Sequence, residues 1–532
     1  MIETARAVAE RWLAAEPDED IRDELSELLA GDDATLAARF GDRLTFGTAG
    51  LRAAIGAGPL RMNRLVVRQA AAGLARYLLD TQPEATERGV LIGFDARRKS
   101  DVFALDTARV MAAHGLAARL LPGPQPTPVV AWALTELDGA AGVIVTASHN
   151  PPEDNGYKVY LGDGAQIVPP HDIGIADAIG RVDPTTVELA PEDDPLIERL
   201  DGSIVSRYVA VVPDVRYRPD VPGVGVAYTP MHGVGGAVLL RAFAAAGFDP
   251  PAVVAEQFEP DPTFPTVSFP NPEEPGAMDR VMALAAAAGA AVAIANDPDA
   301  DRLGAAIAQP DGSWRRLGGD ELGWLLADHI LTHTSGDDRL VVTTLVSSSL
   351  LGRMAADHGV HFAETYTGFK WIGRTILDHP EWRFVFGYEQ ALGYLVAPRP
   401  LDKDGISAAV LLAEVAAVAA AEDTTLQGRL DDLVARYGRH LIAERSIQMD
   451  PAVAAERVRA LLDDPPSEVG GARVVDVASF PEADLLRLEL DGGVRVQVRP
   501  SGTEPKVKLY GEAVDVDPTP HLDALALHFA PR

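Results

Sequence analysis

The chain has 532 residues, 47% of them hydrophobic, more than one folding unit usually holds and enough to bury several cores. A formal net charge of -31 argues against nucleic acid and anionic membranes as partners, so an anionic substrate has to be met by a local basic cleft. There is no cysteine for disulfides or thiolate metal sites, and charges within Met1 to Ala15 (Glu3, Arg6, Glu10, Arg11) are unlike a signal peptide, so a cytoplasmic protein is expected.

Short β-rich runs alternate with amphipathic or Ala-rich helical runs, the pattern of parallel strands joined by crossover helices. The first unit, 1–206, holds strands at Val90 to Phe94 and Gly142 to Thr146 with a helix over Val102 to His114 between them. The second, 207–318, runs through strands at Val224 to Tyr228, Val253 to Phe258 and Ala291 to Ala295, with a helix at Ala237 to Ala246 and a proline-rich connection at Pro260 to Pro275. The third, 319–436, has a helix at Leu322 to His333, strands at Leu340 to Thr344, Phe362 to Thr365 and Phe384 to Gly387, and a long helix after Gly405. That helix is apolar from Ile406 to Ala421 but carries Glu414, which suits a packed helix better than a membrane span. The remainder, 437–532, is strand-rich at Arg473 to Val477, Leu485 to Leu490, Val494 to Val498 and Val507 to Tyr510. The expected fold is α/β: three successive mixed α/β domains followed by a smaller C-terminal α+β domain. Three units of similar size suggest divergent copies of one fold, which spacing alone does not demonstrate.

Positive charge is almost all arginine; the six lysines are Lys99, Lys158, Lys370, Lys403, Lys506 and Lys508, each in or beside a loop marked by glycine, aspartate or proline. Ammonium is a compact charge that can shed its proton when desolvated, whereas guanidinium stays charged, so lysine kept at loops points to phosphate binding and proton transfer.

Four segments carry chemistry. In Val143 to Tyr160 an apolar strand runs into Ser148-His149-Asn150-Pro151-Pro152, which places a hydroxyl beside an imidazole at a strand exit with Lys158 following. In Asn296 to Arg302 the carboxylates of Asp297, Asp299 and Asp301 converge, a set that repels itself unless a hard cation such as Mg²⁺ neutralises it, and the spacing is not that of an EF-hand. In Phe386 to Tyr394 Glu389 leaves a β-run into a glycine-bounded loop and suits sugar hydroxyls; Thr367-Gly368-Phe369-Lys370 and Asp402-Lys403-Asp404-Gly405 are placed to line the same crevice. In Arg499 to Lys508, Arg499, Ser501, Thr503 and Lys508 surround Gly502, a composition fit for a phosphate cradle.

In this order and spacing the four segments closely resemble the α-D-phosphohexomutase family of phosphoglucomutases, phosphomannomutases and related phosphopentomutases, across the whole chain. Thr45-Phe46-Gly47-Thr48-Ala49-Gly50-Leu51-Arg52 also resembles that family's opening motif, in the branch that includes the longer enzymes. The resemblance implies four domains around a central cleft, a phosphoserine at Ser148, Mg²⁺ held by Ser148, Asp297, Asp299 and Asp301, and Arg302 reaching the phosphoryl group. It implies that Arg52 contacts the phosphate, that His149, Lys158 and Lys403 transfer protons or stabilise charge, and that Thr367, Gly368, Lys370, Glu389, Arg499, Ser501, Gly502, Thr503 and Lys508 bind substrate. The implied activity interconverts glucose or mannose 1- and 6-phosphates through a bisphosphate, with a sugar bisphosphate such as glucose 1,6-bisphosphate as activator. A phosphopentomutase acting on 1- and 5-phosphates, a phosphatase, and a silent sugar-phosphate sensor are the alternatives. The family's sugar loop carries a serine where this chain has Ala391, within Glu389-Gln390-Ala391-Leu392-Gly393, which leaves substrate choice open and makes Gln390 a candidate replacement donor.

Overall fold

The computed structural model describes residues 4–500 and 506–529. Ahead of the first sheet lie three helices, Ala5–Ala15, Glu19–Ala30 and Asp33–Phe40, which pack Trp12, Ile21, Leu25, Leu36 and Phe40 onto the first unit's core.

The first three sheets share one topology. In the first, Ala118–Leu120, Val90–Phe94 and Ala141–Val145 lie parallel, and Asp154–Leu161 runs antiparallel beside Ala141–Val145. In the second, Ala252–Val253, Val226–Thr229 and Val292–Ala295 are parallel and Gly304–Ala308 is antiparallel. In the third, His361–Thr365, Arg339–Thr344 and Arg383–Glu389 are parallel and Gly393–Leu395 is antiparallel. Each time the chain reverses between the last parallel strand and its antiparallel neighbour, and each reversal is one of the motif loops: 146–153, 296–303 and 390–392. The repeated fold that spacing left open is therefore visible as a repeated strand order. Fully buried parallel strands read as unbroken apolar runs such as Val-Leu-Ile-Gly-Phe, which is why they were legible in sequence.

The strand expected over Val253 to Phe258 is corrected: only Ala252–Val253 is extended, and a 3-10 turn follows at Ala255–Gln257. The cause is Gln257, which turns inward, buried, to accept from the Thr229 hydroxyl at 2.7 Å and donate to that of Thr266 at 2.7 Å.

One apolar core runs through all three units, from Trp132 and Tyr208 past Phe243 to Leu326 and Leu411. At its centre the helix Gly405–Ala421 is apolar on every face and almost wholly buried. Burial works to raise the carboxyl of its Glu414, but His329 at 3.0 Å, the Tyr217 amide at 2.7 Å and Arg216 at 2.9 Å outweigh it and hold the group at about 2. Among the described residues no single helix is long and apolar enough to cross a membrane.

The C-terminal unit is a six-stranded sheet in the order His440–Gln448, Lys506–Val514, Val494–Pro500, Leu485–Leu490, Ala472–Phe480, Glu468–Val469, covered by helices Pro451–Asp463 and Thr519–Ala526. It has its own core around Leu488, Val496, Leu509 and Phe529. It meets the third unit over a small apolar cluster, Leu345, Val346, Leu485 and Tyr510, and largely through polar groups: Arg487 with Glu364 at 3.0 Å, Ser348 on Glu512 at 2.6 Å, and Gln497 on the Leu345 carbonyl at 2.6 Å. A polar junction of this kind lets a domain move as a body more readily than a shared apolar core does.

Candidate active site

Ser148 lies three residues past the strand Ala141–Val145, buried, with φ +54°. A serine in the left-handed region costs on the order of 1 kcal/mol, so surrounding contacts must hold it there. Its amide donates to Thr146 Oγ1 at 2.9 Å. The main restraint is Arg97, whose guanidinium donates to the carbonyls of Ser148 (2.6 Å), Asn150 (2.6 Å), Pro151 (2.7 Å) and Asp154 (3.2 Å). Arg97 is buried over the Phe264 ring and paired with buried Asp95 at 3.3 Å. Sequence reasoning missed it; the signal was Asp95-Ala96-Arg97-Arg98 at the exit of the neighbouring parallel strand.

Ser148 Oγ is 3.2 Å from Asp297 Oδ2 of the second unit and 3.2 Å from His149 Nδ1. Loss of solvent and the nearby Arg302 and Arg52 charges hold the His149 imidazole well below its ordinary value, so it is neutral. Arg52, on the strand Leu51–Ala54 that pairs with Asp154–Leu161, donates to Asn150 Oδ1 at 3.0 Å and so stands over the serine loop.

Asp297, Asp299 and Asp301 are buried and each turns one oxygen to a common point, with those atoms within 4.8 Å of one another. Burial and mutual repulsion push Asp297 well up. Burial works to raise Asp299 too, and burial with the Asp299 charge to raise Asp301, but Lys158 with the Thr127 hydroxyl outweighs this at Asp299, Lys158, Lys403 and Arg302 together outweigh it at Asp301, and both sit low. Lys158 spans Asp299 (2.8 Å) and Asp301 (3.0 Å), Lys403 lies 3.3 Å from Asp301, and Thr127, unforeseen, donates to Asp299 at 2.8 Å. Asp299 Oδ1 and Asp301 Oδ1 remain buried without a hydrogen-bond partner. Three buried carboxylates with oxygens this close together, two of them with an oxygen that lacks a hydrogen-bond partner and the third pushed up by its neighbours, fit a hard divalent cation of the Mg²⁺ kind.

Desolvation by itself would deprotonate the cleft lysines, but for Lys158 and Lys403 it is outweighed by Asp299 and Asp301 and by Asp301 and Asp402 respectively, so both stay charged. Lys370 differs: burial brings it down to about 8. It reaches across from the third unit to the hydroxyl of Thr48. Thr367 and Gly368 precede it, with Thr367 Oγ1 buried and unpartnered. Lys99 lies outside this cluster and pairs with Asp18 and Asp20 at 2.7 and 2.9 Å.

Arg302 donates through its backbone amide to Asp297 Oδ1 at 3.0 Å and through its guanidinium to the Ala391 carbonyl at 2.9 Å, which ties the 296–303 loop to the 390–392 loop. Glu389 ends the strand Arg383–Glu389, half-buried at that junction. Gln390 Oε1 accepts from the Ser347 hydroxyl at 3.0 Å and the Gln390 backbone N–H donates to the same hydroxyl at 3.2 Å, which anchors the side chain beside Ser347 through its acceptor oxygen. On the C-terminal sheet Arg499 faces Lys508 in register, and Lys508 pairs with Glu444 at 2.9 Å. Ser501, Gly502 and Thr503 lie outside the described residues.

Four consecutive family models cover this architecture, each described as phosphoglucomutase/phosphomannomutase: alpha/beta/alpha domain I over residues 43–185, domain II over 207–312, domain III over 318–437, and the C-terminal domain over 446–524. The chain belongs to the phosphoglucomutase/phosphomannomutase family. Members of this family are phosphotransferase mutases of sugar phosphates that work with Mg²⁺, and the aspartate triad is this chain's site for it. A protein named probable phosphomannomutase from Haemophilus influenzae is 41% identical over 466 residues, 86% of this chain and 94% of the relative. The phosphopentomutase of Homo sapiens is 35% identical over 556 residues, 94% of this chain and 90% of the relative. Among solved structures, a putative phosphomannomutase from Thermus thermophilus superposes with a TM-score of 0.70 at 25% identity, covering 92% of this chain and 98% of that one.

Proposed function

We propose that this mutase interconverts hexose 1-phosphates and 6-phosphates of the glucose or mannose type, through a phosphoserine at Ser148 and a sugar bisphosphate. The observation that carries this reading is Ser148 Oγ, held in the left-handed region 3.2 Å from Asp297 at the mouth of the aspartate triad. In the forward half-reaction the bond from phosphorus to Ser148 Oγ breaks and a bond from phosphorus to the free sugar hydroxyl forms. The electron pair stays on Oγ, which ends protonated as the sugar hydroxyl loses its proton, and neutral His149, 3.2 Å from Oγ, is placed to handle the proton on the serine side. The bisphosphate then turns in the cleft and its other phosphate returns to Ser148, regenerating the phosphoenzyme. Arg52, Arg302, Lys158 and Lys403 remain charged and offset the charge that builds on the equatorial oxygens. Ser148, Asp297, Asp299 and Asp301 would hold Mg²⁺, which when bound would supply Lewis-acid neutralisation of phosphoryl charge.

Glu389 is the acceptor for sugar hydroxyls, with Thr367, Gly368 and Lys370 beside it. Arg499 and Lys508, with Ser501, Gly502 and Thr503, receive the phosphate that is not reacting. The family match over the four consecutive stretches supports a division of labour among 1–206, 207–318, 319–436 and 437–532.

A second reading, pentose 1- and 5-phosphates, is favoured by Ala391, which leaves the sugar loop one hydroxyl donor short. Losing a neutral hydrogen bond costs about 1 kcal/mol, too little to exclude either sugar class. Primed assays on glucose, mannose, ribose and deoxyribose 1-phosphates discriminate: hexose turnover at least tenfold above pentose supports the first reading, and the reverse order replaces it. Intact-mass measurement during turnover tests the nucleophile, since wild type must carry one phosphate that Ser148→Ala lacks.

A further inference from the structure

The proline-rich connection of the second unit does more than join elements. Asn271 Oδ1 accepts from the Glu273 amide at 3.1 Å. Arg316 donates to three successive carbonyls, those of Pro272 (3.2 Å), Glu273 (2.8 Å) and Glu274 (3.0 Å). The segment also lies directly on the strand that follows Arg302: a Cβ at Gly304 would stand 2.5 Å from that of Pro272, so only glycine permits the approach. The backbone of Glu273 is thus fixed from three sides without using its own side chain. That side chain is aimed at the cleft, with Oε2 3.6 Å from a guanidinium nitrogen of Arg302. The pair is unequal in exposure: the glutamate side chain is 41% exposed and the arginine side chain 14%.

Arg302 has donors to spare. Its Nε is buried with no hydrogen-bond partner, and the nearest oxygens of Asp297 and Asp301 are 3.9 and 4.0 Å away, too far for hydrogen bonds. Glu273 at 3.6 Å is an ion-pair neighbour rather than a hydrogen-bonded one. A guanidinium fork matches a phosphate bidentately and more strongly than a single, loosely placed carboxylate. A half-exposed carboxylate is also cheap to displace, because water solvates it once it lets go.

We propose that Glu273 is a positioning residue, the exchangeable counter-ion of Arg302, which keeps that guanidinium turned toward the cleft between turnovers and yields it to the phosphate of the sugar. The proposal deepens the mutase reading and rests on it for the identity of the anion. As a competitor Glu273 weakens every phosphate complex of Arg302, and so it also hastens release of the bisphosphate for reorientation. Burial works to raise the Glu273 carboxyl and Arg302 to lower it, and the charges of Lys508 and Glu444 of the C-terminal unit also act on it.

The test is Glu273→Gln in the full-length Mg²⁺-loaded enzyme. The expected result is a KM for sugar phosphate and a Ki for inorganic phosphate both lowered about fivefold, with kcat lowered by a similar factor and Tm unchanged. The same substitution in a Ser148→Ala background, which does not turn over, should tighten calorimetric binding of inorganic phosphate about fivefold; that readout holds even if the phosphoserine assignment fails. Adding Arg302→Met should erase the difference. A KM and phosphate affinity unchanged within twofold or weakened by Glu273→Gln, or an effect that survives Arg302→Met, overturns the proposal.

Discussion

Arg97→Lys asks how much of the activity rests on the shape of the serine loop. Arginine here makes four bonds to loop carbonyls between 2.6 and 3.2 Å and pairs with Asp95. Lysine keeps the charge near Asp95 but not the planar fork, so at least two of the four carbonyl bonds are lost. Hydrogen bonds involving a charged group contribute roughly 1.5 kcal/mol or more each, which puts the loss of loop restraint at about 3 kcal/mol. Ser148 adds the strain of its φ of +54°, which favours relaxation toward ordinary backbone once the restraint is gone. If half of the loss appears as misplacement of Oγ in the transition state, kcat falls about tenfold, and if all of it does, about a hundredfold. Arg97 faces carbonyls rather than the cleft, so KM for sugar phosphate should move less than threefold. Steady-state kinetics at saturating Mg²⁺ and bisphosphate, alongside a thermal melt, provide the readings. A kcat within twofold of wild type would refute the idea that Arg97 sets the serine geometry.

Asp299→Asn should raise the Mg²⁺ concentration for half-maximal activity at least tenfold and abolish any Mg²⁺-induced rise in Tm of the substrate-free protein; an unchanged Mg²⁺ titration would contradict the triad. Lys370, brought down to about 8 by burial, should lose its proton as pH rises through that value, so kcat/KM should fall on the alkaline side, and Lys370→Arg should move that limb upward. Persistence of the limb in that variant would assign it to another group. Glu16, 2% exposed, has its carboxyl raised by burial from 4.5 to about 7. Its folded form holds the proton more tightly than the unfolded chain, so stability is full below about pH 4.5 and declines as pH rises to 7, by about 3 kcal/mol at most. Glu16→Gln should therefore melt higher than wild type at pH 8 and converge with it near pH 4.5; equal melting at pH 8 would show that Glu16 carries no such burden.

The longer parallel strands, such as Val90–Phe94 and Val292–Ala295, were legible because strands buried on both faces are written as unbroken apolar runs, and the serine and aspartate loops because each follows such a run; the three-residue parallel strands Ala118–Leu120 and Ile197–Arg199 were not. Of the antiparallel partners, Asp154–Leu161 was hidden because Asp154, Asn155, Gly156 and Lys158 interrupt it, and Gly304–Ala308 because its Gly-Ala-Ala-Ile-Ala run has only one β-branched residue to mark a strand. The three N-terminal helices, which add their own apolar faces to the first core, also carried no motif to mark them.

What the sequence determined by itself is the chemistry available: a serine beside a histidine, three alternating aspartates, and lysines kept where arginine was otherwise used. Local composition decides such things. Only the tertiary structure decided what each group does, because charge state and geometry depend on neighbours remote along the chain. Lys158 and Lys403 keep their protons because carboxylates outweigh desolvation, Asp299 and Asp301 of the second unit for Lys158 and Asp301 together with adjacent Asp402 for Lys403, while Lys370, without so close a partner, gives way toward 8. Thr127 and Glu273 have no local signature of function, and Arg97 has only its place at the exit of a parallel strand. They join the site because three copies of one strand order turn their loops toward a single point, and a buried carbonyl, carboxylate or guanidinium there must be met by whatever side chain the fold brings within reach.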